Sequence, residues 1–411
     1  MSGSNSTRKL LRRPGTAFAA LAGFLALGVQ SLDAQGSSAA AGANSCGPAP
    51  SAAAPGDRSA TPVYPPGQYP VKLPAMSLLG APNDAPNPFA AGVDFGQLPA
   101  NRPWGGSASV VMGNDNTVWV ADRCGHSGTS GGESCTGESI GINPLIQLDT
   151  SGKVLKMLGA GIFVSPHKME IDKDGNIWVA DNGGNQVFKL DKDGKVLMTL
   201  GKRGVAGSGN DEFDQPTDIA FAANGDFFVS DGHDGGGASI GNARVMKFDK
   251  NGKFLMSWGK KGMGPGEFDM PHALAMDREG LLYVADRQNN RIQVFDQNGK
   301  FIKQMFQFGR PSGIYIDKND MLYSADSESR DGRTNIGKGG LAPTGYGFNL
   351  GAERGIRIGS VKDGKVRYFI PDTCPYPYNG VSELAEGVTS DAQGNVYGAD
   401  FRGDVRKFVK K

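Results

Sequence analysis

The sequence has few of the residues that bind transition metals or form covalent cross-links. It contains only four histidines and four cysteines among 411 residues, and no Cys-x-x-Cys spacing. This argues against a cysteine-based metal site, because such sites usually need paired cysteines at short spacing. Neither sign of charge is in excess, with 43 basic and 42 acidic residues, and no basic stripe stands out among the repeats. We therefore expect no nucleic acid as a partner.

The sequence also lacks an apolar run long enough to span a membrane comfortably. Its longest N-terminal run, Ala17 to Val29, follows a basic segment and precedes a small-residue cleavage point at Ala34. This pattern predicts a signal peptide over residues 1–34 and an exported protein, periplasmic or secreted, with no membrane span once the signal is removed. An uncleaved anchor is the alternative. Residues 35–90 are rich in Ala, Gly, Ser and Pro, which predicts a disordered linker.

Export would allow the four cysteines to form disulfides. Cys124 and Cys135 flank a Gly/Ser-rich stretch and could close it as a loop. Cys46 and Cys374 would then be the remaining pair. Sequence alone leaves the connectivity open.

Glycine, by contrast, is abundant at 62 residues, and it recurs in the turns of a short repeat. Each copy has four predicted strands joined by turns such as Asp-x-Asn-Gly, and its second strand ends in Asp. These Asp residues, which we interpret as structural, are Asp122, Asp181, Asp231, Asp286, Asp326 and Asp400. The pattern predicts an all-β fold, a six-bladed β-propeller over residues 91–411. The predicted blades are 103–161, 165–202, 212–260, 268–309, 311–371 and 378–411.

One residue precedes each of these Asp residues by fourteen positions and should line the central channel. The six are Ala108, His167, Thr217, His272, Ser312 and Glu386. His167, His272 and Glu386 belong to alternate blades, about 120° apart around the axis of such a propeller. Two imidazoles and a carboxylate that converge there predict a binding site for a divalent metal, with zinc as the expected ion. The alternatives are a channel lined by polar residues without a metal, and a Glu386 that pairs with an arginine.

A second ring is formed by the residue that follows each Asp. It contains Arg123 and Arg287, in blades one and four. Beside a metal they would hold a substrate carboxylate through bidentate hydrogen bonds, but either could simply pair with acids at the blade edges. His233, in a Gly-rich loop of blade three, is a candidate general base or a plain surface residue.

The spelling of these repeats resembles the NHL family of β-propellers. Within it, the chain is similar to the lyase domain of the peptidylglycine alpha-amidating monooxygenases over about residues 100–411. The motifs that carry the resemblance are, in order, ADR, SPHKMEID, QPTDIAF, VSDG, MPHALAMD, VADRQNNRIQVF and GNVYGAD. The resemblance implies a six-bladed propeller that cleaves peptidyl-alpha-hydroxyglycine to an amide and glyoxylate.

The resemblance also implies a catalytic zinc held by three histidines. Two of these positions are kept, as His167 and His272, whereas the third falls on Glu386. A two-histidine, one-carboxylate set can still bind zinc. The substrate-contacting arginines of the family fall on Arg123 and Arg287.

Two further family features depart from the pattern. The catalytic tyrosine falls on His233, which would have to serve as the base. The structural calcium of the family takes backbone oxygens at Val110 and Met169 and an Asp carboxylate, but that Asp is Gly387 here. The resemblance therefore implies a calcium site that is weakened or lost.

These patterns predict a metal-dependent, lyase-like enzyme that cleaves a hydroxylated amide into an amide and an aldehyde. Its partner would be a small-molecule or peptide-like substrate with a carboxylate. A metal-dependent hydrolase of the lactonase kind and a non-catalytic binding module are the alternatives. We expect a monomer, because a propeller closes its own sheet edges.

Overall fold

The structure is a computed structural model, and it describes residues 81–124, 134–233, 240–329, 349, 352–372, 386–399 and 405–411. All of these residues lie in one compact unit of the chain, Cys46–Lys411. They form six four-stranded antiparallel sheets. The predicted all-β, six-bladed propeller is thereby confirmed.

The first five blades run outward from the channel in chain order. Blade one contains β2 (Ser107–Met112), β3 (Val118–Asp122), β4 (Leu145–Leu148) and β5 (Val154–Leu158). Blade two contains β6 (Pro166–Ile171), β7 (Ile177–Asp181), β8 (Gln186–Leu190) and β9 (Val196–Gly201). Blade three contains β10 (Pro216–Phe221), β11 (Phe227–Asp231), β12 (Arg244–Phe248) and β13 (Phe254–Trp258).

The second half of the ring repeats this order. Blade four contains β14 (Pro271–Met276), β15 (Leu282–Asp286), β16 (Arg291–Phe295) and β17 (Phe301–Met305). Blade five contains β18 (Gly313–Ile316), β19 (Met321–Asp326), β20 (Gly355–Ser360) and β21 (Val366–Pro371). Blade six contains β22 (Gly387–Ser390), β23 (Val396–Ala399), β24 (Val405–Phe408) and β1 (Val93–Phe95). Short 3-10 helices are Gly137–Gly141 and Arg287–Asn289.

The core is made of apolar clusters that lie between adjacent blades. Trp178 of blade two, for example, packs with Phe227 and Phe248 of blade three. Burial of each such aromatic side chain stabilises the fold by about 1.5–3 kcal/mol. The outermost strand of blade three, β13, alternates between half-buried and exposed residues because one of its faces meets solvent.

The repeat Asp residues tie each blade together, as interpreted from the sequence. Asp286 is buried and accepts hydrogen bonds from the Asp269 amide at 2.6 Å and from Arg291 Nε at 2.8 Å. Asp181 accepts bonds from the amides of Val164 and Ser165 in the same way. Asp400 lies outside the described residues.

The N-terminal strand closes the ring, which corrects one predicted boundary. β1 pairs antiparallel with β24 and supplies the outer strand of blade six. Phe89 is buried, and the Ala90 amide donates to Val409 O at 2.8 Å. The linker predicted to reach residue 90 therefore gives way to packed chain earlier, because residues 81–90 bury apolar side chains and satisfy backbone hydrogen bonds against the propeller.

Cys124 and Cys135 form a disulfide with a Cα–Cα distance of 5.2 Å, which the sequence raised as a pairing. Cys46 and Cys374 lie outside the described residues, as do residues 1–34 and most of 35–90. Within the described part of the chain, no helix has the length and apolar character to cross a membrane.

Candidate metal centre

Three histidines from three consecutive blades, two, three and four, meet at the channel. His167 lies in β6, His272 lies in β14, and His233 follows the end of β11. One ring nitrogen of each lies within 4.8 Å of the others. The ring centroids are 4.6 Å apart for His167 and His272, and 5.1 and 5.0 Å from each of these to His233. We call these three residues the histidine cluster.

Backbone carbonyls of the next blade fix the orientation of two of these rings. His167 Nδ1 lies 2.8 Å from Thr217 O, and His272 Nδ1 lies 2.5 Å from Ser312 O. A carbonyl oxygen only accepts, so Nδ1 carries the proton in both rings. The Nε2 atoms then present lone pairs toward the channel, and both are buried without a hydrogen-bond donor. This is how proteins prepare histidines for a metal.

Glu386 lies at the edge of the histidine cluster. Its Oε1 is 3.3 Å from His272 Nε2 and 3.5 Å from Arg287 Nη1, and its Oε2 accepts a hydrogen bond of 2.8 Å from Ser327 Oγ. The contact with His272 brings a carboxylate oxygen against a nitrogen lone pair. Two acceptors at this distance favour a cation or a proton between them.

Two buried arginines lie on the Glu386 side of the cluster, one in contact with Glu386 and one, Arg310, for which the sequence predicted no role. Arg287 is buried, and its Nη1 lies 3.6 Å from Glu328 Oε2. Arg310 is also buried. It donates hydrogen bonds to Glu328 Oε2 at 2.9 Å and to Arg287 O at 2.7 Å. The signal for Arg310 was its position two residues before the channel ring, where blade four has Met270. Blade three has Gln215 there, so an arginine departs from the repeat.

Burial and these cations keep the histidines neutral. Burial is the main cause that lowers the pKa of His167, His233 and His272 well below the usual value. The positive charges of Arg123 and Arg287 lower the pKa of His233 further. Neutral imidazoles are the form that binds a metal.

The described residues therefore fit a transition metal, with orphaned buried lone pairs and a carboxylate beside them. The structure brings together the predicted His167, His272 and Glu386, and it adds His233 to them. Arg287 lies against Glu386. Arg123 acts on the cluster through its charge, which lowers the pKa of His167. Whether each residue acts as predicted stays a prediction.

The calcium position implied by the resemblance lacks the aspartate that the family has there. Gly387 supplies no carboxylate, and a Cβ there would lie 2.9 Å from Ala108 O. Val110 and Gly387 line a cavity of about 210 Å³ that also holds the buried Lys168 ammonium. Lys168 Nζ donates to Ala108 O at 2.6 Å and to Glu386 O. The Lys168 ammonium would repel a second cation there, whereas the carboxyl groups of Glu170 and Asp218, which line the same cavity, would attract one.

Part of the chain that contributes to this site is similar to known proteins. Residues 268–295, which include His272 and Arg287, match the family model for the NHL repeat. These residues are an NHL repeat. The chain is also 38% identical over 195 residues to peptidyl-glycine alpha-amidating monooxygenase B of Xenopus laevis, covering 43% of this chain and 22% of the frog protein.

The chain also resembles a second sequence relative and a solved structure. A probable peptidyl-alpha-hydroxyglycine alpha-amidating lyase of Caenorhabditis elegans is 40% identical over 147 residues, which cover 35% of this chain and 40% of the worm protein. The alignments thus span about a fifth to two fifths of these relatives. Among solved structures, a putative gluconolactonase has a TM-score of 0.50 at 12% identity, covering 81% of this chain and 95% of that one. At that identity it shows the fold alone.

Proposed function

We propose that this NHL propeller is an exported, metal-dependent lyase that cleaves a carbinolamide bearing a carboxylate, of the peptidyl-alpha-hydroxyglycine type. The observation that carries the proposal is the histidine cluster, in a chain similar to amidating lyases. His167 and His272 would hold the metal through Nε2, since their Nδ1 atoms are fixed by backbone carbonyls. When bound, zinc would polarise the substrate hydroxyl and lower its pKa.

The arginines support a substrate with a carboxylate. Arg123, Arg287, Arg310 and Lys168 all place positive charge near His233, as the lowered pKa of that residue reflects. Glu328 and Glu386 are the carboxylates that pair with the arginines among the described contacts. A guanidinium binds a carboxylate through two parallel hydrogen bonds, so this group of arginines suits a substrate that carries a carboxylate.

The reaction needs one proton to move and one bond to break. The substrate hydroxyl gives up its proton, its oxygen electrons form the aldehyde C=O, and the C–N bond breaks. The electron pair of that bond stays on the amide nitrogen, which takes a proton, so no net proton is consumed. His233 and Glu386 are the two groups at the cluster that can accept the hydroxyl proton.

The proposal is tested with N-benzoyl-alpha-hydroxyglycine, whose cleavage gives benzamide and glyoxylate. Metal content is measured by plasma mass spectrometry for the wild-type protein and His167→Ala. Thr217→Ser, at the same ring position of blade three, is the control that keeps the carbonyl bound by His167. We expect close to one zinc per chain and glyoxylate release, both lost only in His167→Ala.

Two results would oppose the proposal. A chain that binds no transition metal in any variant would remove its basis and favour the binding module. A chain that binds metal and hydrolyses lactones, but releases no glyoxylate, would favour the hydrolase alternative.

A further inference from the structure

We propose that His233 is a metal ligand, completing a three-histidine set with His167 and His272, and that Glu386 is the proton acceptor beside it. From the sequence, Glu386 was predicted as the ligand and His233 as the proton acceptor. The ligand assignment is independent of the lyase reaction. The role of Glu386 rests on the proposed function.

The ligand role follows from the position of His233. Its ring lies 5.1 and 5.0 Å from the rings of His167 and His272, centroid to centroid, and one nitrogen of each residue shares the 4.8 Å cluster. Adjacent ligands of a tetrahedral zinc with bonds of about 2.0–2.1 Å lie about 3.4 Å apart. Small side-chain rotations therefore bring three nitrogens onto one ion.

An unpaired ring nitrogen of His233 agrees with this assignment. Its Nδ1 is buried and has no hydrogen-bond partner. A buried nitrogen left unpaired costs free energy, unless a ligand satisfies it. His167 Nε2 and His272 Nε2 are buried in the same condition. Each of the three histidines thus has one buried ring nitrogen without a hydrogen-bond partner, whereas both carboxylate oxygens of Glu386 have polar neighbours.

Glu386 is instead held by groups outside the histidine cluster. Ser327 Oγ donates to its Oε2 at 2.8 Å, and Arg287 Nη1 lies 3.5 Å from its Oε1. The same Oε1 is 3.3 Å from His272 Nε2, at the side of the cluster that faces Arg287. A substrate with its carboxylate on Arg287 would bring its hydroxyl within reach of this oxygen. Glu386 is therefore placed to accept that proton.

Metal binding in the absence of substrate tests the ligand role. Zinc affinity is measured by competition with a chelator, and the visible spectrum of the Co²⁺-loaded protein reports its ligand set. For His233→Gln we expect zinc affinity to fall by more than about 100-fold, beyond the 10–100-fold loss usual for residues around a ligand shell. For Glu386→Gln we expect a loss of about 10-fold or less and an unchanged Co²⁺ spectrum.

A third variant keeps the test valid if His233→Gln folds poorly. His233→Cys retains a ligand atom, so it should bind Co²⁺ with a thiolate charge-transfer band that the wild-type protein lacks. His233→Gln with wild-type zinc affinity, or His233→Cys without that band, would overturn the ligand assignment. Failure of glyoxylate release would leave these results untouched and would oppose only the proposed lyase activity. Full metal binding with undiminished glyoxylate release in Glu386→Gln would overturn the acceptor role.

Discussion

At the scale of single residues, the fold sets where a side chain points but not which side chain it is. Ser312 and Glu386 occupy equivalent ring positions, and their amides donate to Ala325 O and Ala399 O, each at 2.7 Å. The backbone geometry is thus the same whether the ring residue is a serine or a glutamate. Histidine at 167 and 272 is therefore not required by the blade, and the reason for it lies in the channel.

Arg287 offers a test of substrate recognition. Arg287→Lys keeps the charge but loses the planar pair of donors, whereas Arg287→Met loses both. We expect KM for a carboxylate substrate to rise about 10-fold in Arg287→Lys and about 100-fold in Arg287→Met, consistent with hydrogen bonds to a charged group of roughly 1.5–3 kcal/mol. Arg203→Lys, at an exposed arginine that donates to Ile162 O, is the control. Equal KM values in all four proteins would argue that Arg287 only positions Glu386.

Asp218 gives a pH dependence whose sign can be derived. Burial raises the pKa of Asp218 to about 7 from 3.8, although the Lys168 ammonium opposes the shift. The folded protein therefore keeps a proton that the unfolded chain releases, and stability falls as pH rises from about 4 through about 7. Between these values the free energy of unfolding decreases by up to about 1.4 kcal/mol per pH unit. The neighbouring Glu170, whose pKa is also raised by burial, titrates with it.

Chemical denaturation at several pH values measures this contribution. In Asp218→Asn the slope between pH 4 and 7 should become shallower than in the wild-type protein. Asp249→Asn, at an exposed turn of the same blade, should leave the slope between these values nearly unchanged. A slope that is identical in wild type and Asp218→Asn would contradict the assignment of the proton to Asp218.

At the scale of the elements, each blade depends on its repeat Asp more than on its turns. Asp286 holds Asp269 N, Asn289 Nδ2 and Arg291 Nε together while fully buried. Asp286→Ala should reduce the free energy of unfolding by about 3–5 kcal/mol, because the buried Arg291 guanidinium loses the carboxylate with which it forms an ion pair. Asp296→Ala, at an exposed turn of the same blade, should cost about 1 kcal/mol. Equal losses of unfolding free energy, measured by urea denaturation, would mean that the two Asp residues contribute equally to stability.

The elements also show what could be predicted from sequence. The inner strands and the ring of His167 and His272 followed from spacing, because homologous positions of a propeller share one radius and height. Two features did not follow. Arg310 is an exception to the repeat, so periodicity gives it no role, and the approach of His233 depends on a loop whose path no spacing rule fixes.

At the scale of the whole molecule, the ring is closed by chain segments that are far apart in sequence. β1 supplies the fourth strand of blade six, and Phe95 packs edge-on against Tyr397 with ring centroids 5.0 Å apart. Such closure replaces an open strand edge by a paired one. These residues lie outside the six blades predicted from the sequence, because a three-residue strand carries almost no periodic signal.

Truncation shows whether this closure holds the propeller together. A chain that begins at residue 81 keeps Phe89 and β1, whereas one that begins at residue 97 loses both. The loss of two buried phenylalanines and three strand residues should lower the unfolding free energy by several kcal/mol, on the order of the 3–5 kcal/mol for each phenylalanine removed from a core. It also exposes the edge of β24. We therefore expect the shorter chain to unfold at lower temperature and to self-associate in sedimentation, while the longer one behaves as the full chain does. If both truncated chains unfold at the same temperature and stay monomeric, closure by β1 contributes little to stability. The apolar clusters between adjacent blades would then hold the ring together without it.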